Sequence, residues 1–240
     1  MRKVYSVPIL HDNYVHIPYN SETRECIIVD PGVSGPILDL ITIRGLKPLA
    51  VLMTHHHEDH IGGANDLMNH FGIPGYAPAL EKEQIIFADH FLGEGDVVEF
   101  LGTRFSVLQL SGHTRGHIGF WSPTEKWLFS GDVLFSMGCG RVFDGTLEQH
   151  FASLAKIRRL PTDTEIFCTH EYTENNLRFC LQNTPRTPAL EKFEAKVHNL
   201  RMQNKPTVPF MLTQELALNP FLNAKSFADF KTLREKRDKF

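Results

Sequence analysis

The chain has 240 residues, 42% of them hydrophobic, and a formal net charge of −3 from 25 Lys and Arg against 28 Asp and Glu. That length supports one substantial core with room for a smaller appendage, and the slightly acidic balance excludes a general attraction to nucleic acid or anionic membrane, so anion recognition has to be local. No apolar run reaches the roughly 18–20 residues of a membrane span, and the opening Met1–Pro8 lacks the apolar core of a secretory signal, so the cytoplasm is the expected location.

In chain order, Cys26–Asp30 reads as a strand that ends at Pro31-Gly32. Ser34 is placed to cap a helix running to about Ile43, with Pro36 in its first turn. Leu49–Met53 is a second strand, and directly behind it lies an H-x-H-x-D-H run of His55, His57, Asp59 and His60. Imidazole and carboxylate are the ligands a borderline cation such as zinc prefers. Alternate residues of an extended chain point the same way, so His55 and His57 can grip one ion, and Asp59 and His60, past the bend, can reach a second.

Three further strands each end on a potential ligand. Thr103–Leu110 stops near His113, Lys126–Phe129 runs into Ser130-Gly131-Asp132, and Glu165–Cys168 runs into Thr169-His170. Loops at strand ends are where sites of layered α/β folds assemble, so five histidines and two aspartates can converge. They suffice for two ions if one carboxylate bridges, and Asp132 is the candidate bridge because imidazole cannot comparably span two ions.

Between these strands, Thr146-x-x-Gln149 resembles a capping box opening a helix that stops at Pro161. After His170 the signals turn helical. Thr187-Pro188 begins a helix to about Asn204, Thr213 is placed to cap a short one ending before Asn219-Pro220, and Ser226-x-x-Asp229 is placed to cap the last. A mixed α/β part over residues 1–170 followed by a helical part over 171–240 is therefore expected. Cys26, Cys139, Cys168 and Cys180 lack C-x-x-C spacing and read as reduced, buried thiols outside the site.

On these motifs the sequence resembles the metallo-β-lactamase superfamily, through Asp12-Asn13-Tyr14, Val29-Asp30-Pro31-Gly32, Thr54 to Gly63, Gly112-His113-Thr114 with Gly116-His117, and Ser130-Gly131-Asp132. Within it, the sequence is similar to the glyoxalase II family, also called hydroxyacylglutathione hydrolases. The specific segments are Gly138-Cys139-Gly140-Arg141, Asp144-Gly145-Thr146, Thr169-His170-Glu171-Tyr172-Thr173 with Asn175-Asn176-Leu177, and the ending Arg234-x-x-Arg237-Asp238.

The resemblance implies an α+β fold, a four-layer αββα sandwich as catalytic domain with a small C-terminal helical domain that binds glutathione. It places His55, His57 and His113 on one metal, Asp59, His60 and His170 on the other, and Asp132 between them, leaving His56 and His117 in supporting roles. Two divalent ions are implied, zinc first, with iron or manganese as alternatives. It also implies a binuclear thioester hydrolase acting in methylglyoxal detoxification. Hydroxide from a water acidified by the ions, with Asp59 available to orient it, would convert S-(2-hydroxyacyl)glutathione, such as S-D-lactoylglutathione, to glutathione and a 2-hydroxy acid such as D-lactate. Arg234 and Arg237 match positions that bind the glycine carboxylate of glutathione, and Arg141 and Tyr172 match further substrate positions. Phe143 departs from the pattern, standing where some members carry a substrate-binding tyrosine. The expected partner is the small-molecule S-acylglutathione alone, with no nucleic acid or membrane, on a monomer.

The nearest rival is a glutathione persulfide dioxygenase with mononuclear iron, whose ligand motif is similar. The helical extension and Arg234/Arg237 favour the hydrolase. A β-lactamase would leave the extension without a role, a nuclease would need an extensive basic surface, and a non-catalytic binding module would not need so complete a ligand set.

Overall fold

Runs apolar at every position, such as Ile27-Ile28-Val29 and Ala50-Val51-Leu52, have to be covered on both faces, and the chain meets this by stacking four layers. The computed structural model describes residues 1–240. One six-stranded sheet holds β1 (Arg2–Ile9), β2 (Asn13–Asn20), β3 (Glu25–Val29), β4 (Lys47–Leu52), β5 (Gly75–Pro78) and β6 (His90–Leu92) in that spatial order, antiparallel through β3 and parallel from there. The second sheet contains β7 (Val97–Phe100), β8 (Thr103–Gln109), β9 (Ile118–Ser122) and β10 (Trp127–Gly131). After a two-stranded ribbon of β11 (Leu134–Phe135) and β12 (Gly138–Cys139), it is completed by β13 (Glu165–Cys168) and β14 (Phe210–Met211), its order being β14-β13-β10-β9-β8-β7.

Alternation along the strands separates three cores. Ile27, Val29, Ala50 and Leu52 of the first sheet meet Phe105, Val107, Phe120, Phe129 and Phe167 of the second in the middle of the sandwich. Their neighbours Ile28, Val51 and Met53 face outward onto α1 (Gly35–Arg44), the four-residue α2 (Glu58–Ile61) and α3 (Ala64–Phe71). On the far side, Leu128, Ile166 and Cys168 face α4 (Leu147–Ile157), α5 (Thr173–Asn183), α6 (Pro188–Met202), α7 (Leu212–Leu218) and α8 (Phe227–Arg237). None of these helices is long and apolar enough to cross a membrane.

Three expected caps are present. Thr146 accepts from the Gln149 N–H at 3.2 Å while the Gln149 side chain accepts from the Thr146 N–H at 2.9 Å. Thr187 and Ser226 accept from the N–H groups of Leu190 and Asp229, each at 3.2 Å. Two others differ. Ser34 has helical backbone angles and no capping bond, its hydroxyl lying 3.4 Å from Asp66 instead. Thr213 falls inside α7, whose cap position is Met211, because Phe210-Met211 first pairs with β13 and the chain turns directly from strand into helix. The C-terminal segment thus contributes an edge strand as well as helices, and Phe221 and Phe230 share one cluster with Leu128 and Leu154.

Candidate metal centre

All the ligand candidates lie at one rim of the sandwich, beyond the ends of β4, β10 and β13 and in the loop from β8 to β9. The ligand loop is fixed at its root by Asp30, a residue with φ 53° just after β3. Its carboxylate accepts the Thr54 N–H and the Thr54 hydroxyl, both at 2.7 Å. The chain then bends at Thr54-His55 and is extended at His57, the cap position of α2, whose first turn carries Asp59 and His60.

The seven side chains converge. His57 Nδ1 lies 3.1 Å from His55 Nε2 and 3.0 Å from His113 Nε2. Asp59 Oδ2 lies 3.4 Å from His170 Nε2 and 3.6 Å from His60 Nε2. Between the two groups stands Asp132, with Oδ2 3.4 Å from His113 Nε2 and 3.2 Å from His170 Nε2, and Oδ1 3.6 Å from His60 Nε2. Tetrahedral ligands at about 2.1 Å from an ion lie about 3.4 Å from one another, so this spacing fits cations. Two of the inward atoms, His60 Nε2 and Asp132 Oδ1, are buried without any hydrogen-bond partner, as expected of donors meant for a metal.

The outer nitrogens explain why the inner ones are available. His113 Nδ1 donates to the Arg141 carbonyl at 2.7 Å, His170 Nδ1 pairs with Asp12 at 2.8 Å, and His60 Nδ1 pairs with Asp30 at 3.2 Å. His55 Nδ1 contacts the Thr54 hydroxyl at 3.0 Å, and Asn13 donates to Asp59 Oδ2 at 2.8 Å. Such contacts fix tautomer and ring direction. Asp12, Asn13, Asp30 and Thr54 were visible in the sequence as motif residues, but nothing in a linear reading assigned them these tasks.

Electrostatics divide the centre. Burial pushes His57 down to about 4 and also lowers His55 and His113, keeping three neutral rings. Burial acts on His170 and His60 in the same sense but is outweighed by Asp132, with Asp12 lifting His170 to about 9 and Asp30 helping to raise His60. Asp132, despite burial, is held well below the carboxylate range by those two rings. Positive charge is therefore favoured on the side where a second cation would sit.

The histidines left outside have other partners. His117 is buried against the His55 ring, 4.7 Å between centroids, and its Nε2 accepts the Asp132 N–H at 3.1 Å. Gly131, at φ +50°, makes the turn into Asp132, and a Cβ there would lie 2.6 Å from His117 Nε2. His56 turns away to Glu81, 2.9 Å distant. All four cysteines are free and buried.

Of the substrate candidates, Tyr172 stacks on His170 at 4.6 Å with planes 6° apart. Arg141 is exposed, its guanidinium 5.8 Å from the Phe143 ring, which stands edge-on to His57 and His113 at 5.0 and 5.1 Å. The C-terminal pair is unequal. Arg237 makes one long hydrogen bond, 3.3 Å to Asn176, and lies over the Phe179 and Phe240 rings at 5.9 and 5.6 Å, whereas Arg234 is buried and donates to the Cys139 carbonyl at 2.8 Å and to Asp238 at 2.9 Å. Arg234 ties α8 to β12, a structural task the expectation of a matched pair did not include.

Residues 21–170 match the metallo-beta-lactamase superfamily and residues 171–240 the hydroxyacylglutathione hydrolase C-terminus. A hydroxyacylglutathione hydrolase of Bdellovibrio bacteriovorus is 47% identical over 97% of this chain and 96% of its own length. One from Aliivibrio salmonicida is 40% identical over the whole of both. Among solved structures, a B3 metallo-beta-lactamase, BLEG-1, superposes with a TM-score of 0.67 at 28% identity over 93% of this chain and all of its own. ETHE1 from Myxococcus xanthus reaches 0.72 at 22% identity over 98% and 90%, a likeness of fold. Both segments and the full-length relatives agree: the chain belongs to the hydroxyacylglutathione hydrolase family of the metallo-beta-lactamase superfamily.

Proposed function

We propose that the protein hydrolyses S-(2-hydroxyacyl)glutathione, S-D-lactoylglutathione in the first place, to glutathione and the 2-hydroxy acid. The observation that carries this reading is a complete donor set around Asp132, with its buried unpartnered atoms, in a chain of this family. His55, His57 and His113 would hold one divalent ion, Asp59, His60 and His170 a second, and Asp132 both; zinc suits the set, with iron or manganese as alternatives. Bound ions would supply a water that loses its proton near neutral pH and polarise the thioester carbonyl.

The protein's own groups do the rest. Asp59 is partly exposed and held by Asn13, so it is placed to orient a water. Residues 171–240 and Arg141 would form the glutathione side, Tyr172 beside the second site and Arg237 as the cation with donors to spare for a carboxylate. The departing thiolate, with an ordinary pKa of about 8.5, leaves without prior protonation, so no general acid is needed at sulfur. The test is hydrolysis of S-D-lactoylglutathione by the metal-loaded protein, with metal analysis and oxygen monitoring on the same preparation. Thioester loss without oxygen uptake is expected; oxygen consumption with a glutathione persulfide and no thioesterase activity would replace this reading with a dioxygenase.

A further inference from the structure

His56, Thr114 and Gly116 belong to the two histidine motifs yet coordinate nothing, and one residue outside those motifs accounts for all three. Glu81 ends the short 3-10 turn Ala79–Glu81 that follows β5, and it is buried, with 1% exposure. One carboxylate oxygen pairs with His56 Nδ1 at 2.9 Å; the other accepts the Thr114 hydroxyl and, at 3.0 Å, the Gly116 N–H. A Cβ at Gly116 would lie 2.3 Å from Glu81 Cγ, so only glycine lets the carboxylate come so close. His56 adjoins His57 on the loop from the first sheet, and Thr114 adjoins His113 on the loop from the second. The two loops meet at the 3.0 Å approach of His57 Nδ1 to His113 Nε2.

We propose that Glu81 is a positioning residue for the His55, His57 and His113 site, a buried clamp that sets the distance between the two loops carrying its ligands. The proposal rests on the ligand reading given above. The Thr114 hydroxyl and the Gly116 N–H donate to one oxygen and His56 Nδ1 meets the other, so removing the carboxylate would free both loops at once. Hydrogen bonds made directly to metal ligands are worth about 10- to 100-fold in metal affinity, and Glu81, which holds the chain neighbours of His57 and His113 at once, is expected to act on the same scale.

The experiment is zinc stoichiometry and chelator competition on Glu81→Ala, Glu81→Gln, Thr114→Val and His113→Ala, with thermal unfolding of each metal-free protein. In Glu81→Ala one ion should be held about 10- to 100-fold more weakly and the other unchanged. Glu81→Gln keeps an acceptor for Thr114 and Gly116 and should stay within about threefold of the parent, while Thr114→Val should lose about fivefold at the same ion. Should Glu81→Ala fail to fold, Thr114→Val decides alone. Parent affinity in both Glu81→Ala and Thr114→Val would overturn the clamp, as would equal weakening of both ions in step with a lower melting temperature of the metal-free form. His113→Ala separates the two levels: it should release one ion, and if it keeps both, the ligand reading has failed and the clamp with it.

Discussion

Single residues decide whether the centre holds metal, and Asp132 is the most exposed to test. An amide is a poorer ligand than a carboxylate, and Asp132 lies within 3.6 Å of nitrogens from both groups. Asp132→Asn should therefore lower zinc content at both positions and cut thioester turnover by about two orders of magnitude or more. A variant with two tightly held ions and parent activity would remove Asp132 from the bridge. The two arginines of α8 offer a second test because their surroundings differ. Arg237→Ala should raise KM for S-D-lactoylglutathione about tenfold, the loss of one partly solvated charge-assisted hydrogen bond, with metal content and melting temperature near the parent. Arg234→Ala leaves the Cys139 carbonyl without its donor and should lower stability by about 1–3 kcal/mol, visible as a lower urea midpoint. Identical effects on KM and stability in the two variants would contradict the division of labour.

At the scale of elements, α8 is tied down by its cap as well as by Arg234. Ser226→Ala removes the acceptor for the Asp229 N–H and should cost about 1 kcal/mol; a change below a few tenths would mean that Arg234 and the packing of Phe230 hold the helix without the cap. Elements of this kind were legible because their signals are local. Thr146 with Gln149, Thr187 with Pro188 and Ser226 with Asp229 each announce a helix start within four residues, and five of the strands carry dense β-branched or aromatic runs. β1 was not legible because it is an edge strand with mostly half-buried positions, which gives no clean alternation, and β2 because His16 and Pro18 interrupt its apolar residues. β14 is two residues long and exists only because β13 offers an unpaired edge. The seven candidate metal ligands were all legible from strand ends and spacing, and the structure brings them together. Glu81 was not, since its role depends on contacts with residues 25 to 35 positions away.

Over the whole molecule, the sandwich is closed partly by a neutral histidine, which gives stability a definite pH dependence. His16 stands on β2, and its Nε2 reaches across to the Cys168 carbonyl of β13 at 2.9 Å while Nδ1 meets the Ser6 hydroxyl at 3.0 Å. Burial is the main cause that pushes it down to about 4. An unfolded chain with an ordinary histidine near 6.5 binds the proton more readily than the folded one. This contribution is thus complete above about pH 6.5, declines as the pH falls, and is exhausted near 4, a loss on the order of 3 kcal/mol over the window. His57 and His113 act in the same sense and His170 in the opposite one, so the absolute curve mixes several groups. The difference between the parent and His16→Gln isolates one of them, because Gln can bond the same carbonyl without titrating. Measured by urea unfolding of the metal-free proteins, that difference should shift by about 2 kcal/mol between pH 7.5 and 5, in favour of the variant at the lower pH. Parallel curves across this range would mean that His16 titrates alike in both states and that the contact between the two sheets tolerates a charge.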